Sequence, residues 1–352
     1  MNILLPANIT DNSNVALLLD QIFVTIESYY RFNSSNDTFI IFTNSADIIN
    51  GIKLFNIGFE KDVRTELINF EKCWEDTGLV ITQSKARRAT IIAKMLMPFI
   101  FDEDYLLMDW DVMTTGRSVP EMIQSDKLRF FNSKLYDGNT LRQISMWKNM
   151  FPEKNSTGRF RWVNSGFAYF PKDLTKQMIL EYWEKYNSIT EQQYKNIFLY
   201  DIIGDEYIYN LMLIDEDPRI EECTEYNINV VLRNFYSNFF KINSMYSFGE
   251  RSPHVLNVHF AIGHIKPFNV VIDDSGNLSC TIKMEKYNTD KESVRWLFDI
   301  AEHKCGAFHY NTVVFSLIWQ YTRYCIREQM GLMKENMSTR YLDFFNKNII
   351  EI

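Results

Sequence analysis

The chain has 352 residues, 46% of them hydrophobic and 23% charged, with a formal net charge of −8 and a pI near 5.3. This balance excludes a disordered chain, and the acidic surface argues against an electrostatic grip on nucleic acid. The length allows one large α/β domain with a smaller C-terminal piece, or two domains. An acidic protein that handles a phosphate-bearing ligand needs local cations, from side chains or from a metal.

Five cysteines, Cys73, Cys223, Cys280, Cys305 and Cys325, form no Cys-x-x-Cys pair and leave an odd count, so reduced cytosolic thiols are expected. No apolar stretch approaches the ~20 residues of a membrane span. The start, Met1 to Pro6, lacks the basic region and long apolar core of a signal peptide. The expected place is the cytoplasm, with peripheral contact at the inner face of a membrane as the variant to test.

In chain order, Asn2 to Leu5 reads as a strand, and Pro6 to Asp11 as a polar loop. Leu19, Ile22, Phe23, Ile26 and Tyr30 recur at helical spacing, and Phe39 to Phe42 reads as a second strand. Strand, helix, strand opens a parallel, doubly wound sheet. Ser84 to Phe101 carries Ile91, Met95 and Phe99 on one helical side and is entered through Lys85, Arg87 and Arg88. It leads into the apolar run Tyr105 to Met108, an interior strand. The stretch from Leu135 to Arg161 is weakly patterned and reads as an excursion or lid. Arg161 to Phe170 returns as a strand containing Gly166, where a ligand or neighbouring chain can approach closely. A helical segment follows at Gly204 to Asn210. Val255 to Phe260 is strand-like, Val270 to Ile282 resembles a hairpin through Asp273 to Gly276, and Asn311 to Met330 places Val314, Ile318, Tyr321 and Cys325 on one helical face.

Two patterns carry chemistry. Asp109-Trp110-Asp111 puts two carboxylates one residue apart where the central strand ends, and open α/β sheets bind ligands at that edge. Two hard oxygen ligands there suit Mg²⁺ or Mn²⁺ bridging a diphosphate; a polar turn after a strand is the plainer reading. In the stretch from Val258 to Phe268, His259 ends a strand and is followed by Gly263 and by Lys266, which a proline follows. That offers an imidazole ligand and an ammonium for a phosphate, against the alternative of a core histidine and a surface lysine.

With Asn164-Ser165-Gly166 and with Asp205-Glu206 followed by Asn210, these patterns occur in one order over roughly residues 1 to 270. In that order the chain resembles glycosyltransferase family 8, which includes glycogenins and bacterial lipopolysaccharide galactosyl- and glucosyltransferases. The resemblance implies a GT-A type nucleotide-diphospho-sugar transferase fold, a mainly parallel central sheet flanked by helices with a mostly helical C-terminal extension. It implies that Asp109, Asp111 and His259 hold Mn²⁺ (or Mg²⁺) against the phosphates of a UDP-sugar donor, with Trp110 and Gly263 beside it. Lys266 would neutralise the departing diphosphate, and Asn164 and Asp205 would face the transferred sugar or the acceptor. Ala7 and Asn8 fall where the family cradles base and ribose, without its usual acidic pair there, and Lys94 falls where an arginine usually touches the donor. The chain departs from the pattern in three places: three residues separate His259 from Gly263 where the family has two, Phe268 stands in place of tryptophan, and Glu206 in place of glutamine. A carboxylate at Glu206 could stabilise positive charge at the anomeric carbon or act as a nucleophile; alternatively it favours a helix N-terminus.

The expected domains are residues 1–285 as the catalytic unit, with 135–160 as its lid or excursion, and 286–352 as a helical extension. That extension mixes Trp319, Tyr321, Tyr324, Phe344 and Phe345 with Arg323, Arg327, Lys334, Arg340 and Lys347, and either lies on an anionic membrane or packs on its own domain. The expected activity is metal-dependent transfer of a hexose from a UDP-sugar to a glycan or glycolipid acceptor, with retention implied by the resemblance alone. The alternatives are a nucleotidyltransferase on a similar sheet and a non-catalytic sugar-nucleotide-binding protein. Sugar, acceptor and oligomeric state are not written in any motif.

Overall fold

The structure, a computed structural model, describes residues 1–10, 13–33, 36–81, 88–114, 123–131, 163–188, 205–223, 257–260, 267–280 and 307–348. The expected excursion at 135–160, the basic entry Lys85 to Arg87, Gly263 and Lys266 lie outside these residues.

The N-terminal half alternates strands and helices: β1 (Asn2–Ala7), α1 (Val15–Phe32), β2 (Thr38–Thr43), α2 (Ala46–Phe59), β3 (Arg64–Leu67), α3 (Phe70–Glu75), α4 (Arg88–Met95), α5 (Met97–Ile100) and β4 (Tyr105–Met108). Successive side chains of a strand point to opposite faces. Ile3, Leu5, Phe39, Ile41, Leu106 and Met108 therefore enter a core under α1 and α2, while Leu4, Ile40, Phe42, Tyr105 and Leu107 enter a second core on the other face. A sheet buried on both sides explains why these strands read as continuous apolar runs.

Two boundaries differ from expectation, and proline explains both. The strand expected to end at Leu5 continues to Ala7, with Pro6 opposite Phe42 of β2. The pairing of β1 with β4 ends at Leu4, so one side of Pro6 is free of a neighbour needing its missing N–H. The helix expected from Ser84 to Phe101 is instead two, parted at Leu96. Pro98 sits at the start of α5, where a proline is tolerated, whereas inside one long helix its ring would meet the carbonyl of Lys94.

The sheet is completed by β6 (Leu128–Phe131), β7 (Phe167–Phe170) and β8 (Ile220–Cys223), in the order β3-β2-β1-β4-β7-β6-β8. β7 alone runs against its neighbours, antiparallel to β4 and to β6. It covers only the last part of the strand expected from Arg161. Helices α6 (Lys172–Ser188) and α7 (Glu206–Ile214) pack on the second core. A separate two-stranded ribbon joins β5 (Val112–Thr114) to β9 (Asn257–His259). The hairpin β10 (Val270–Ile272) and β11 (Leu278–Cys280) forms as expected, with Gly276 in the left-handed region at φ +76°.

Helix α8 (Ala307–Gln329) lies against α1 and against the 3₁₀ turn Pro267–Asn269, and α9 (Met337–Asn348) packs on α8. Trp319 and Tyr341 are buried, Tyr324 stacks on Tyr341 at 5.2 Å, and Arg323 and Arg327 pair with Asp20 of α1 at 2.6 and 3.0 Å. These aromatic and basic residues thus pack on the protein itself, while Lys334 and Lys347 are exposed. Among the described residues no helix is long and apolar enough to cross a membrane. Cys73, Cys223 and Cys325 are free thiols.

Candidate functional site

The direction of β7 brings the site together. Because it runs antiparallel to β4, with Phe167 opposite Met108, the residues that precede it arrive at the carboxyl end of β4. Gly166 accepts the backbone N–H of Asp109 through its carbonyl at 2.8 Å. Beyond Asp109 the chain turns and restarts as β5, which leaves the main sheet and takes β9 as its partner. In that ribbon Val112 stands opposite His259, and the carbonyl of Asp111 accepts Phe260 N–H at 3.0 Å, so a histidine far along the chain is fixed beside Asp111. Helix α1 braces the turn from below. Thr25 donates its hydroxyl to the Trp110 carbonyl at 2.8 Å, and Ser28 Oγ accepts the N–H of Thr114 at 3.0 Å.

Ligand atoms of Asp109, Asp111 and His259 all lie within 4.8 Å of one another. His259 Nε2 is 3.1 Å from Asp111 and 3.5 Å from Asp109, and the imidazole is buried. Gly166 lies so close to its ring that a Cβ there would collide with the imidazole and with Asn164 Oδ1. The close approach expected at this glycine is thus to His259. Two carboxylates and one imidazole converging from different directions form a hard, mixed oxygen and nitrogen donor set that fits Mn²⁺ or Mg²⁺.

Beneath the cluster, Lys94 projects from α4. Its Nζ lies 2.8 Å from Asp109, 3.2 Å from Asp205 and 3.2 Å from Ser165 Oγ. Ser165 in turn donates its hydroxyl to Asp205. Burial pulls the Lys94 ammonium down, but Asp109 and Asp205 outweigh that and hold it protonated, above an ordinary lysine. Burial pushes the Asp109 carboxyl up, against the pull of Lys94 and His259, and Asp111 and Asp205 push it further. Asp109 and Asp205 thus share Lys94, while Asp111 lies against His259.

The other expected residues fall as follows. Ala7 is buried at the end of β1, and Asn8 bonds the Ala89 carbonyl and Asn44, both at 3.1 Å. Trp110 is half-buried against the α1 core. Asn164 Oδ1 accepts Gly166 N–H at 2.8 Å, shaping the turn before β7. Asp205 is buried at the start of α7, where Glu206 is the first helical residue. The structure brings Asp109, Asp111, His259, Asn164, Lys94 and Asp205 together. Sequence reasoning gave no role to Ser165, although it lies inside the quoted Asn-Ser-Gly run. It also gave none to Thr25 and Ser28, two buried hydroxyls of α1. Asn210 proves to be a clamp, exchanging bonds of 2.8 and 3.0 Å with the backbone of Val163 and so tying α7 to the approach to β7.

No family model matches the chain, and no curated protein matches it. Solved structures similar to it include glycosyltransferases. The galactosyltransferase LgtC, in complex with donor and acceptor sugar analogues, is 14% identical with a TM-score of 0.49, covering 84% of this chain and 99% of that one. Mouse xyloside xylosyltransferase 1 is 11% identical with a TM-score of 0.49, covering 74% of this chain and 98% of that one. The glycosyltransferase GlyE of Streptococcus pneumoniae is 12% identical with a TM-score of 0.43, covering 99% of this chain and 64% of that one.

Proposed function

We propose that this chain is a metal-dependent glycosyltransferase of the GT-A type. It moves a hexose from a UDP-sugar to a glycan or glycolipid acceptor with retention of configuration, as the motif order of family 8 implies. The observation that carries this reading is the convergence of Asp109, Asp111 and His259 within 4.8 Å at the carboxyl edge of β4. In this reading residues 1–285 are the catalytic unit and 286–352 its helical extension.

Asp109, Asp111 and His259 would hold Mn²⁺ or Mg²⁺, which when bound supplies positive charge to a diphosphate that gains negative charge as the sugar leaves. Lys266 adds an ammonium to the same leaving group. Ala7, Asn8 and Trp110 line the side from which base and ribose enter, and Gly263 belongs to the loop that carries Lys266. Asp205, held by Ser165 and Lys94, faces the transferred sugar with Asn164, and Glu206, the next residue in sequence, is the candidate for stabilising positive charge at the anomeric carbon. An acceptor hydroxyl attacking on the face that the diphosphate leaves retains configuration and needs no separate strong base.

The test is a panel of UDP-sugars with Mn²⁺, read first by thermal shift and then by release of UDP and free sugar. Asp111→Asn is expected to lower Mn²⁺-dependent hydrolysis by about a thousandfold or more while the protein stays folded. Full metal-dependent activity in that variant would refute the metal role. Release of a nucleoside monophosphate instead of UDP would favour a nucleotidyltransferase, and a thermal shift without hydrolysis a binding protein.

A further inference from the structure

Helix α1 carries two buried hydroxyls, Thr25 and Ser28, to which the proposed chemistry gives no part. A hydroxyl in mid-helix commonly bonds back to its own backbone. Thr25 instead donates out of the helix, to the Trp110 carbonyl at 2.8 Å. Ser28 donates to the Thr25 carbonyl at 3.0 Å, and its oxygen accepts Thr114 N–H at 3.0 Å. Thr114 extends the chain of bonds: its own hydroxyl donates to Asn257 Oδ1 at 2.8 Å, across the ribbon in which the two residues face each other. All four side chains are buried, so a group that lost its partner there could not turn to water.

These bonds bracket the carboxylates and the imidazole. The carbonyl of Trp110 and the N–H of Asp111 belong to one planar peptide, so Thr25 sets the plane from which Asp111 departs. Other peptides of the turn are held by backbone partners, Asp109 N–H by the Gly166 carbonyl at 2.8 Å and the Asp111 carbonyl by Phe260 N–H at 3.0 Å. Thr114 follows Asp111 on β5 and Asn257 precedes His259 on β9, so the hydroxyls of α1 fasten both strands that present these groups. The holds from α1 are made by side chains, and substitution can remove them one at a time.

We infer, on the metal role given above to Asp109, Asp111 and His259, that Thr25 and Ser28 are positioning residues for the cation site, keeping the carboxylate turn in register with His259. Outer partners of metal ligands commonly set affinity by roughly 10–100-fold. A hydroxyl that only satisfied a buried carbonyl would change the stability of the fold and leave the cation affinity of the folded protein as it was.

The test is a titration of the full chain with Mn²⁺ alone, the free ion read by electron paramagnetic resonance. Thr25→Val and Ser28→Ala are each expected to raise the Mn²⁺ Kd about tenfold, and Thr25→Ser, which keeps the hydroxyl, to stay within about threefold of the wild type. Thr175 supplies the comparison, as a buried threonine of α6 that donates to the Pro171 carbonyl at 2.7 Å outside the site. Thr175→Val should lose stability and keep the wild-type Kd. An unchanged Kd in either hydroxyl-free variant of α1, or an equal rise in Thr25→Ser or Thr175→Val, would overturn the inference. Should Thr25→Val fail to fold, Ser28→Ala decides, since it removes a single oxygen and adds nothing. Binding that Asp111→Asn abolishes and the α1 variants leave untouched would keep the metal role and sink the positioning role. A wild type that binds no Mn²⁺ would overturn the metal role itself and this inference with it.

Discussion

Two of the buried charge clusters among the described residues are balanced in opposite ways. At Asp20, one carboxylate of α1 receives two guanidinium groups from α8, Arg323 at 2.6 Å and Arg327 at 3.0 Å. At the edge of β4, Asp109 and Asp205 share Lys94, and Asp111 lies against His259. The first cluster holds more positive than negative charge, two arginines to one carboxylate. The second gathers more carboxylates than lysines, and the carboxyl at its centre, Asp109, is pushed up, first by burial and then by Asp111 and Asp205, against the pull of Lys94 and His259. A fold that only needed to join two helices would close its charges as the Asp20 cluster does. The contrast is what the proposed metal role requires, since Asp109, Asp111 and His259 could hold an external cation and a buried excess of like charge is otherwise a cost.

Substitutions can break that contrast. The largest effect is expected for Lys94→Met, which leaves Asp109 and Asp205 without their cation; the metal-free protein should lose about 3–5 kcal/mol of stability by denaturant unfolding. If instead it melts like the wild type, the cluster was not short of positive charge. Asp20→Asn comes next, with an expected loss of about 2 kcal/mol as two partly buried arginines lose their counter-ion. Its Mn²⁺ affinity should equal that of the wild type, and a weakened affinity would show that the two clusters are not separate. The smallest effect belongs to a reference pair outside both. The hydrogen bond from Arg219 holds the Asp217 carboxyl below the usual carboxylate range, at a contact of 2.7 Å. Its contribution is therefore present above the ordinary aspartate value and lost as pH falls through the lowered one. Asp217→Asn should cost about 1 kcal/mol near neutral pH and flatten the acid limb of the stability curve. An unchanged acid limb would remove the reference.

Much of this was legible. The runs Asn2 to Leu5, Phe39 to Phe42 and Tyr105 to Met108 are apolar on both faces because the sheet is covered on both, and the two-carboxylate turn follows directly from where the last of them stops. The break at Leu96 could have been read from Pro98. The reversal of β7 could not, because an apolar run of four residues carries no direction, and so nothing announced that Ser165 would lie between Lys94 and Asp205. Lys94 itself looked like a donor contact at its place in the sequence. Its burial beneath Asp109 depends on how α4 packs on the sheet, which no local pattern encodes.

The ribbon that carries His259 has a consequence for how the protein assembles. β5 and β9 are three residues each, and they join segments about 150 residues apart, a separation whose closure entropy must be met before so short a ladder returns anything. Pairs of this kind form after the local strand-helix-strand units that precede them. His259 therefore reaches Asp109 and Asp111 only in a chain that has essentially finished folding, and in the proposed reading a cation that needs all three would distinguish completed molecules from incomplete ones. Its binding free energy would then be added to the finished state alone, so metal uptake would double as a readout of maturation.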